Sequence, residues 1–183
     1  HLHGEYTFTT EAIDKIIIGA NGRMYRPNSE GTVFSDSAGV KITNSEFGVY
    51  AGLEKKFTRK WTLNGTLRMD KNENFDYLFT PAASVVYSPN VQNYLRLSFS
   101  AGVRNPTLSD QYLNLNVGPA TLAGNLTGWD SLLTVESFVD YLSKNFDKTQ
   151  LDYRNIAPVQ PEQVKTVEVG YRTTILERLF LDG

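Results

Sequence analysis

The sequence predicts an all-β fold, an antiparallel meander of about eight long strands with a helical insertion in one long connection. Apolar and polar residues alternate along most of the chain, with Tyr, Val, Thr and Phe enriched, which is typical of half-buried strands. Five alternating stretches run for about ten residues or more, whereas strands in globular proteins are most often about 5–6 residues long. Short and long connections also alternate between the stretches.

Seven complete strands and the start of an eighth follow from the alternation. The clearest case is the segment 60–70, where Leu63 and Leu67 share one face and Thr66 and Arg68 share the other. The predicted strands are residues 2–9, 16–26, 46–57, 60–70, 79–87, 94–103 and 163–173, with a last strand from about Leu179.

The strand over residues 94–103 ends at a distinct break. Pro106 has no N–H group and cannot continue a hydrogen-bonded ladder. Thr107 can cap a following helix, and Asp110 three residues later completes a capping-box pattern. For Arg104 two interpretations stay open: it ties the base of the loop by hydrogen bonds, or it contacts a ligand.

The long insertion over residues 113–160 contains one predicted amphipathic helix, in residues 130–146. Asp130 can cap its start and Asn145 can end it. Its apolar residues recur at intervals of three and four, which is the spacing of one helix face. They are Leu132, Val135, Val139, Leu142 and Phe146. The helix either packs against the strands or contacts a ligand or a partner.

The connections between strands differ systematically in length. The short ones are TTEAID, FTRK, SPNVQ and TILER, and the long ones are residues 27–45, 71–78 and 104–162. In an antiparallel meander this places the short turns at one end and the long loops at the other. Outer-membrane barrels have this plan, with short periplasmic turns and long extracellular loops, and their strands need about 9–11 residues.

The two strand faces also differ in character. The apolar faces can meet lipid, and aromatic residues near strand ends are typical of an interfacial girdle. Charges on the opposite faces cost little in a watery lumen but several kcal/mol per ion inside a sandwich core. They are Glu5, Arg23, Glu54, Arg68, Asp70, Arg96, Glu168 and Arg172. A soluble sheet with one face in water accommodates them equally well.

Composition and motifs exclude several functions. The 18 basic and 20 acidic residues are interspersed, with a net charge of −2, so we expect no nucleic-acid partner. There is no cysteine, and no apolar run approaches the about 20 residues of a transmembrane helix. Phosphate loops and nucleophile motifs are missing, and His1 and His3 do not make a zinc site. We therefore predict no catalytic residue, metal site or cofactor.

Residues 79–112 resemble the barrel of TonB-dependent outer-membrane receptors. In that family a strand opening with Thr-Pro leads to a Tyr-x-Pro turn, and the next strand ends in Gly-Phe-Arg-x-Pro-[Ser/Thr]-Leu-x-Glu-Leu-Tyr. A second signature combines Leu-x-Pro-Glu with Glu-x-Gly-x-Arg. Val103, Asp110-Gln111 and Val159 depart from these patterns. The resemblance implies structural roles at loop bases for Gly102, Arg104, Pro106, Thr107, Leu108, Tyr112, Pro161, Glu162, Glu168 and Gly170.

The resemblance implies that residues 1–183 are part of a barrel of about 22 strands, with the plug domain absent from this segment. The extracellular loops are then residues 27–45 and 104–162. It further implies a receptor in the outer membrane of a Gram-negative bacterium, not an enzyme. The ligand would be a scarce nutrient such as a siderophore, cobalamin or an oligosaccharide. Its partners would be outer-membrane lipid, the TonB complex acting through the plug, and a surface lipoprotein.

Two other folds fit parts of the pattern. One is a soluble β-sandwich module that binds carbohydrate. The other is a small closed barrel of eight strands, as a membrane protein or a lipocalin-like carrier. A sandwich buries Leu95, Leu97 and Phe99 in a core between two sheets, whereas a barrel wall leaves them exposed on one side.

Overall fold

The computed structural model describes residues 1–37, 39–175 and 179–183. The chain divides into two compact units. The first, here the sheet unit, comprises His1–Tyr25, Thr43–Asn105 and Pro161–Gly183. The second, here the loop unit, comprises Arg26–Ile42 and Pro106–Gln160.

The described residues are mostly β-strand. The strands are Leu2–Phe8 (β1), Lys15–Tyr25 (β2), Asn44–Lys56 (β3), Trp61–Asn72 (β4), Phe75–Asn90 (β5), Asn93–Arg104 (β6), Asn114–Asn116 (β7), Thr121–Ala123 (β8), Trp129–Leu133 (β9), Tyr153–Ile156 (β10), Glu162–Ile175 (β11) and Leu179–Asp182 (β12). The helices are Leu108–Tyr112 (α1) and Val135–Ser143 (α2), with a 3₁₀ helix at Lys148–Gln150.

The sheet unit is an antiparallel sheet of eight strands in the order β1-β2-β3-β4-β5-β6-β11-β12. The predicted meander is therefore confirmed: the predicted strand 46–57 pairs with 60–70, and 79–87 pairs with 94–103. Strands β2 to β6 and β11 are 11 to 16 residues long. At the β3–β4 turn, Thr58 Oγ1 accepts hydrogen bonds from the backbone N–H groups of Lys60 and Trp61.

The predicted long connection over residues 71–78 is wrong, because β4 and β5 are joined directly through Glu73 and Asn74. Asn72 Oδ1 accepts the backbone N–H of Asn74 at 2.9 Å, and the backbone N–H of Glu73 donates to the Ser45 carbonyl at 2.8 Å. These bonds satisfy the polar groups of a tight turn, so the ladder continues into it. Long connections remain at residues 26–43 and 105–161. The last short turn, at residues 176–178, lies outside the described residues.

The break after β6 forms as the sequence predicts. Pairing of β6 with β11 ends at Arg104, two residues before Pro106. Thr107 Oγ1 then accepts the N–H of Asp110 at 3.2 Å, and Asp110 Oδ2 accepts the N–H of Thr107 at 2.7 Å. This reciprocal capping box starts α1 because it satisfies N–H groups that have no partner within the helix.

The predicted helix over residues 130–146 is only partly correct. Residues 129–133 form β9 and pair with β10, so Asp130 caps no helix and Leu132 lies in a strand. The cap is Thr134, whose hydroxyl accepts the N–H of Ser137 at 3.3 Å. After the helix, Asn145 has a φ of 54°, the left-handed conformation typical of a stop residue.

The two helices of the described ranges are too short and too polar to cross a membrane.

A buried carboxylate organises the first segment of the loop unit. The Asp36 side chain is buried, and it accepts hydrogen bonds from the Ser29 hydroxyl at 2.6 Å and from the Gly31 N–H at 2.7 Å. The Ser29 backbone N–H also donates to it. The hydrogen bond from the Ser29 hydroxyl contributes most to lowering the pKa of Asp36, from 3.8 to about 2. Gly31 has a φ of 81°, which suits glycine.

Replacing Asp36 by Asn is expected to loosen residues 26–42, because an amide cannot accept all of these hydrogen bonds. A nonspecific protease at pH 7 should cleave this segment severalfold faster in Asp36→Asn. The matched control is Asp130→Asn, at an exposed carboxylate of the same unit.

The wild-type carboxylate contributes its full stabilisation above pH 3.8 and loses it as the pH falls through about 2. Cleavage of residues 26–42, measured against a reference peptide, should therefore not change between pH 7 and pH 4. A rise at pH 4 to the level of Asp36→Asn would contradict this role of the carboxylate.

Candidate functional site

One face of the sheet is apolar across all its long strands and is exposed. The register places Leu67 opposite Ala51 and Leu97 opposite Val169, so apolar residues of neighbouring strands lie side by side. Large exposed members of this face are Tyr6, Ile18, Leu53, Leu67, Phe79, Leu97, Val167 and Val169. A soluble monomer rarely leaves a continuous apolar surface of this kind in water.

This exposure excludes the sandwich fold. Leu95, Leu97 and Phe99 are 42%, 53% and 36% exposed, whereas a core between two sheets would bury them. The order of strands also contradicts the small closed barrel. Among the described residues, β1 pairs only with β2 and β12 only with β11, so the eight strands do not close on themselves.

The opposite face carries a network of polar side chains. Tyr50 on β3 donates its hydroxyl hydrogen to Glu5 Oε2 at 2.7 Å, and its oxygen lies 2.9 Å from His3 Nε2. Gly19 on β2 lies directly opposite Tyr50, and a Cβ atom there would collide with the tyrosine ring. Glycine at this position therefore lets the ring cross β2 to reach β1.

Arg68 joins the neighbouring strands on the same face. Its Nε atom donates to Asp70 Oδ2 at 2.7 Å, and Nη2 donates to Asn21 Oδ1 at 2.8 Å. The guanidinium carbon lies 5.7 Å from the centroid of the Tyr50 ring. A Cβ atom on Gly48 would overlap both Arg68 and Asp70. The ion pair between Arg68 and Asp70 therefore fits only because Gly48 has no side chain.

A polar cavity of about 320 Å³ continues the network towards the end of the sheet with the long connections. Glu46, whose side chain is 11% exposed, forms an ion pair with Arg23 and accepts a hydrogen bond from Asn105 Nδ2 at 3.3 Å. Asn105 Oδ1 is buried without a hydrogen-bond partner among the described residues. The cavity wall thus combines cations and carboxylates, which suits a ligand rich in polar groups.

Two further ion pairs are more exposed. Arg96 Nη2 lies 3.4 Å from Glu168 Oε2, with the two side chains 45% and 58% exposed. Arg104 Nη1 lies 3.7 Å from Glu162 Oε2, with both side chains about 70% exposed. Each contributes little to stability in water because solvent screens the pair. Their role is to link side chains of the adjacent strands β6 and β11.

The sequence-predicted motif residues fall into two groups. Adjacent strands bring together Gly102 and Arg104 of β6 with Glu162, Glu168 and Gly170 of β11. Within that pairing, Arg104 stands opposite Glu162 at the start of β11, directly after Pro161.

The remaining motif residues lie in the loop unit at α1. Pro106 precedes the helix, Thr107 caps it, Leu108 opens it and Tyr112 closes it. Gln111, which departs from the family pattern, is buried and donates from Nε2 to the Pro106 carbonyl at 2.7 Å. The structure thus places these residues at and around α1, and their role at a loop base stays a prediction.

Sequence reasoning missed the centre of the polar network. The sequence pattern does not single out Asn21, Tyr50 or Asn105. It indicates His3 only beside His1, as a candidate metal ligand. The signal that could have found them is the register, which the short turns set and which aligns Tyr50 with Gly19. Within the described ranges, no group of three or more His, Cys, Asp or Glu residues is arranged to hold a metal ion.

A one-layer antiparallel sheet with long strands, one apolar face and one charged face is the wall of a membrane-spanning β-barrel. The chain belongs to the TonB dependent receptor-like beta-barrel family, which it matches over residues 3–183. This family comprises receptors and transporters of Gram-negative outer membranes rather than enzymes. A comparison with curated proteins gives no match.

Leu67→Arg is expected to destabilise the folded barrel by about 2–4 kcal/mol, because it places a cation on the lipid-facing side near the middle of a strand. Thr66→Arg is the matched control on the adjacent, polar side, and its cost should stay below about 1 kcal/mol. Urea unfolding in lipid vesicles, followed by tryptophan fluorescence, measures both. Equal destabilisation by the two variants would show that the faces are assigned wrongly.

Proposed function

We propose that the chain forms part of the wall of a receptor that captures a scarce nutrient outside the cell and transports it inward with energy from the TonB complex. The observation that supports this proposal is the combination of a continuous apolar face with a hydrogen-bonded network of charges opposite. Lipid then covers the first face, and the second lines a water-filled lumen in which charged side chains cost little.

The polar cavity indicates the chemistry of the ligand. Arg23 and Arg68 can donate hydrogen bonds, while Glu46 and Asp70 can accept them. Siderophores, cobalamin and oligosaccharides all carry many donors and acceptors, so each remains within the proposed ligand class. A plug outside residues 1–183 would be the element on which the TonB complex acts.

In this proposal the long connections at residues 26–43 and 105–161 are extracellular, and the motif residues from Gly102 to Tyr112 hold the base of the longer one. Helix α2 exposes Val135 at 81% and Phe138 at 45%. These side chains offer an apolar surface to a ligand or to a surface lipoprotein. The short turns face the periplasm.

The function is tested by deleting the gene and growing the strain on single sources of iron, cobalamin or oligosaccharide at limiting concentration. We expect growth to fail on one source and to recover when the intact gene is restored. Arg23→Gln with Glu46→Gln should weaken recovery. Lys148→Gln with Asp130→Asn, a matched pair of charges in the loop unit outside α2, tests whether charge loss alone has this effect. Undiminished growth of the deletion strain on every source, or equal uptake without TonB, would refute the proposal.

The proposed orientation is tested with single cysteines and a membrane-impermeant label on whole cells that carry the intact protein. Val40→Cys and Val117→Cys, in the long connections, should react. Thr58→Cys and Asn90→Cys, at the short turns, should react only after the outer membrane is permeabilised. Labelling of the second pair on intact cells would invert the orientation.

A further inference from the structure

The turn between β3 and β4 concentrates positive charge. Residues 54–61 read EKKFTRKW, so Lys55, Lys56, Arg59 and Lys60 fall within six positions. The turn is well held, because Thr58 Oγ1 accepts two backbone N–H groups and the N–H of Ser88 donates to the Lys60 carbonyl at 2.8 Å. The cations therefore project from an ordered hairpin at the end of the sheet with the short turns.

Nearby carboxylates neutralise only part of this charge. Lys56 Nζ lies 3.8 Å from Glu54 Oε1, and the Lys56 backbone N–H donates to Asp14 Oδ2 at 2.6 Å. Lys15 stands opposite Glu54 in the register. In the part of the chain that the structure describes, Lys55, Arg59 and Lys60 form no ion pair.

Aromatic rings on the apolar face accompany the cations. Phe57 and Trp61 are 64% and 45% exposed, and Trp61 packs on Tyr87 with ring centroids 4.5 Å apart. Strand alternation puts Lys55 on this same face, opposite Leu63. Aromatic residues of membrane barrels lie at the level of lipid headgroups, and a lysine there can lay its alkyl chain on apolar surface while its amine reaches the headgroups.

A groove on the apolar face begins next to the cations. It has a volume of about 390 Å³ and is lined in part by Ile16, Ala51, Leu53, Gly65 and Leu67. Leu53 and Gly65 face each other two positions from the Lys55–Leu63 pair. No atom lies within 4 Å of the place where a Gly65 Cβ would stand, so the groove passes over the glycine.

The other described turns at this end of the sheet carry no comparable positive charge. The β5–β6 turn, at residues 91–92, is Val-Gln and carries no charge, and the β1–β2 connection contains Glu11 and Asp14. Among the described turns at this end of the sheet, the excess of cations is thus local to the β3–β4 turn. A basic turn, an aromatic belt and an apolar groove together match a molecule with an anionic head and an acyl chain.

We propose that this turn is a binding site for an anionic phospholipid of the inner leaflet of the outer membrane. Lys55, Arg59 and Lys60 contact the phosphodiester, and an acyl chain lies in the groove over Gly65. The inference rests on the proposed orientation, in which the short turns face the periplasm. The site would fix the depth of the hairpin in the membrane and favour this lipid over zwitterionic neighbours.

The test measures lipid binding to the complete receptor, extracted in detergent, by native mass spectrometry. The probes are phosphatidylglycerol and phosphatidylcholine with identical acyl chains. We expect a preference for phosphatidylglycerol that the triple variant Lys55→Gln, Arg59→Gln, Lys60→Gln removes, with a loss of affinity of about fivefold per cation. Raising the salt concentration should weaken the wild-type preference, because salt screens the exposed charges.

Three controls make the result specific. The triple variant Lys41→Gln, Lys148→Gln, Arg154→Gln removes the same charge from the loop unit and should leave the preference intact. Lys55→Arg with Lys60→Arg should retain it. Gly65→Leu fills the groove and should reduce phosphatidylglycerol binding without changing the charge. Heat-dependent migration on gels shows that each variant is folded.

The proposal is overturned if the turn variant binds phosphatidylglycerol as wild type does, or if the loop-unit variant loses as much affinity. Equally tight binding of soluble glycerol phosphate would also overturn it, since the acyl groove would then contribute nothing. The cysteine labelling separates this outcome from failure of the proposed function. If Thr58→Cys is protected on intact cells and the preference is unaffected by the turn variant, only the lipid site is wrong.

Discussion

The structure depends on one continuous ladder of antiparallel hydrogen bonds, from Leu2 opposite Gly22 to Thr173 opposite Leu181. Where a sheet borders lipid, no water can satisfy a free N–H or carbonyl, so each long strand must be paired by its neighbours. Because side chains alternate with a period of two, the same ladder also decides which residues meet lipid. A slip of one residue would exchange the two faces.

The ladder replaces the apolar core that stabilises a soluble domain. In the described residues of the sheet unit, the buried apolar side chains are Phe75 and Val86. Instead, large apolar side chains remain exposed on one face, and their favourable environment is the membrane itself. On the other face, Tyr50 and Arg68 bind across several strands, so the network supports the register that the backbone sets. The loop unit is stabilised differently, through side-chain caps at Thr107 and Thr134 and through the carboxylate of Asp36.

The β3–β4 hairpin shows how one element serves three environments. Leu67 faces the apolar side, Arg68 faces the polar network, and Lys60 lies in the turn between the strands. Adjacent residues can have such different surroundings because a strand turns each successive side chain to the opposite face. Gly19, Gly48 and Gly65 extend this division, since two glycines admit polar side chains on one face and the third opens a groove on the other.

The sequence by itself determined the eight strands of the large sheet, the character of each face and the break at Pro106, because these follow from local alternation and local backbone chemistry. It also determined the capping box of α1, whose partners are three residues apart. It misplaced the β4–β5 turn and the start of α2, where strand pairing extended or replaced the predicted segments.

Only the tertiary structure decided the polar network and the cavity. Tyr50 meets Glu5 across 45 positions of sequence, and Asn105 meets Glu46 across 59. Such contacts depend on the register of several strands at once and on the space that glycines leave between them. No local pattern encodes that information, so the residues that line the candidate site became recognisable only when the strands were paired.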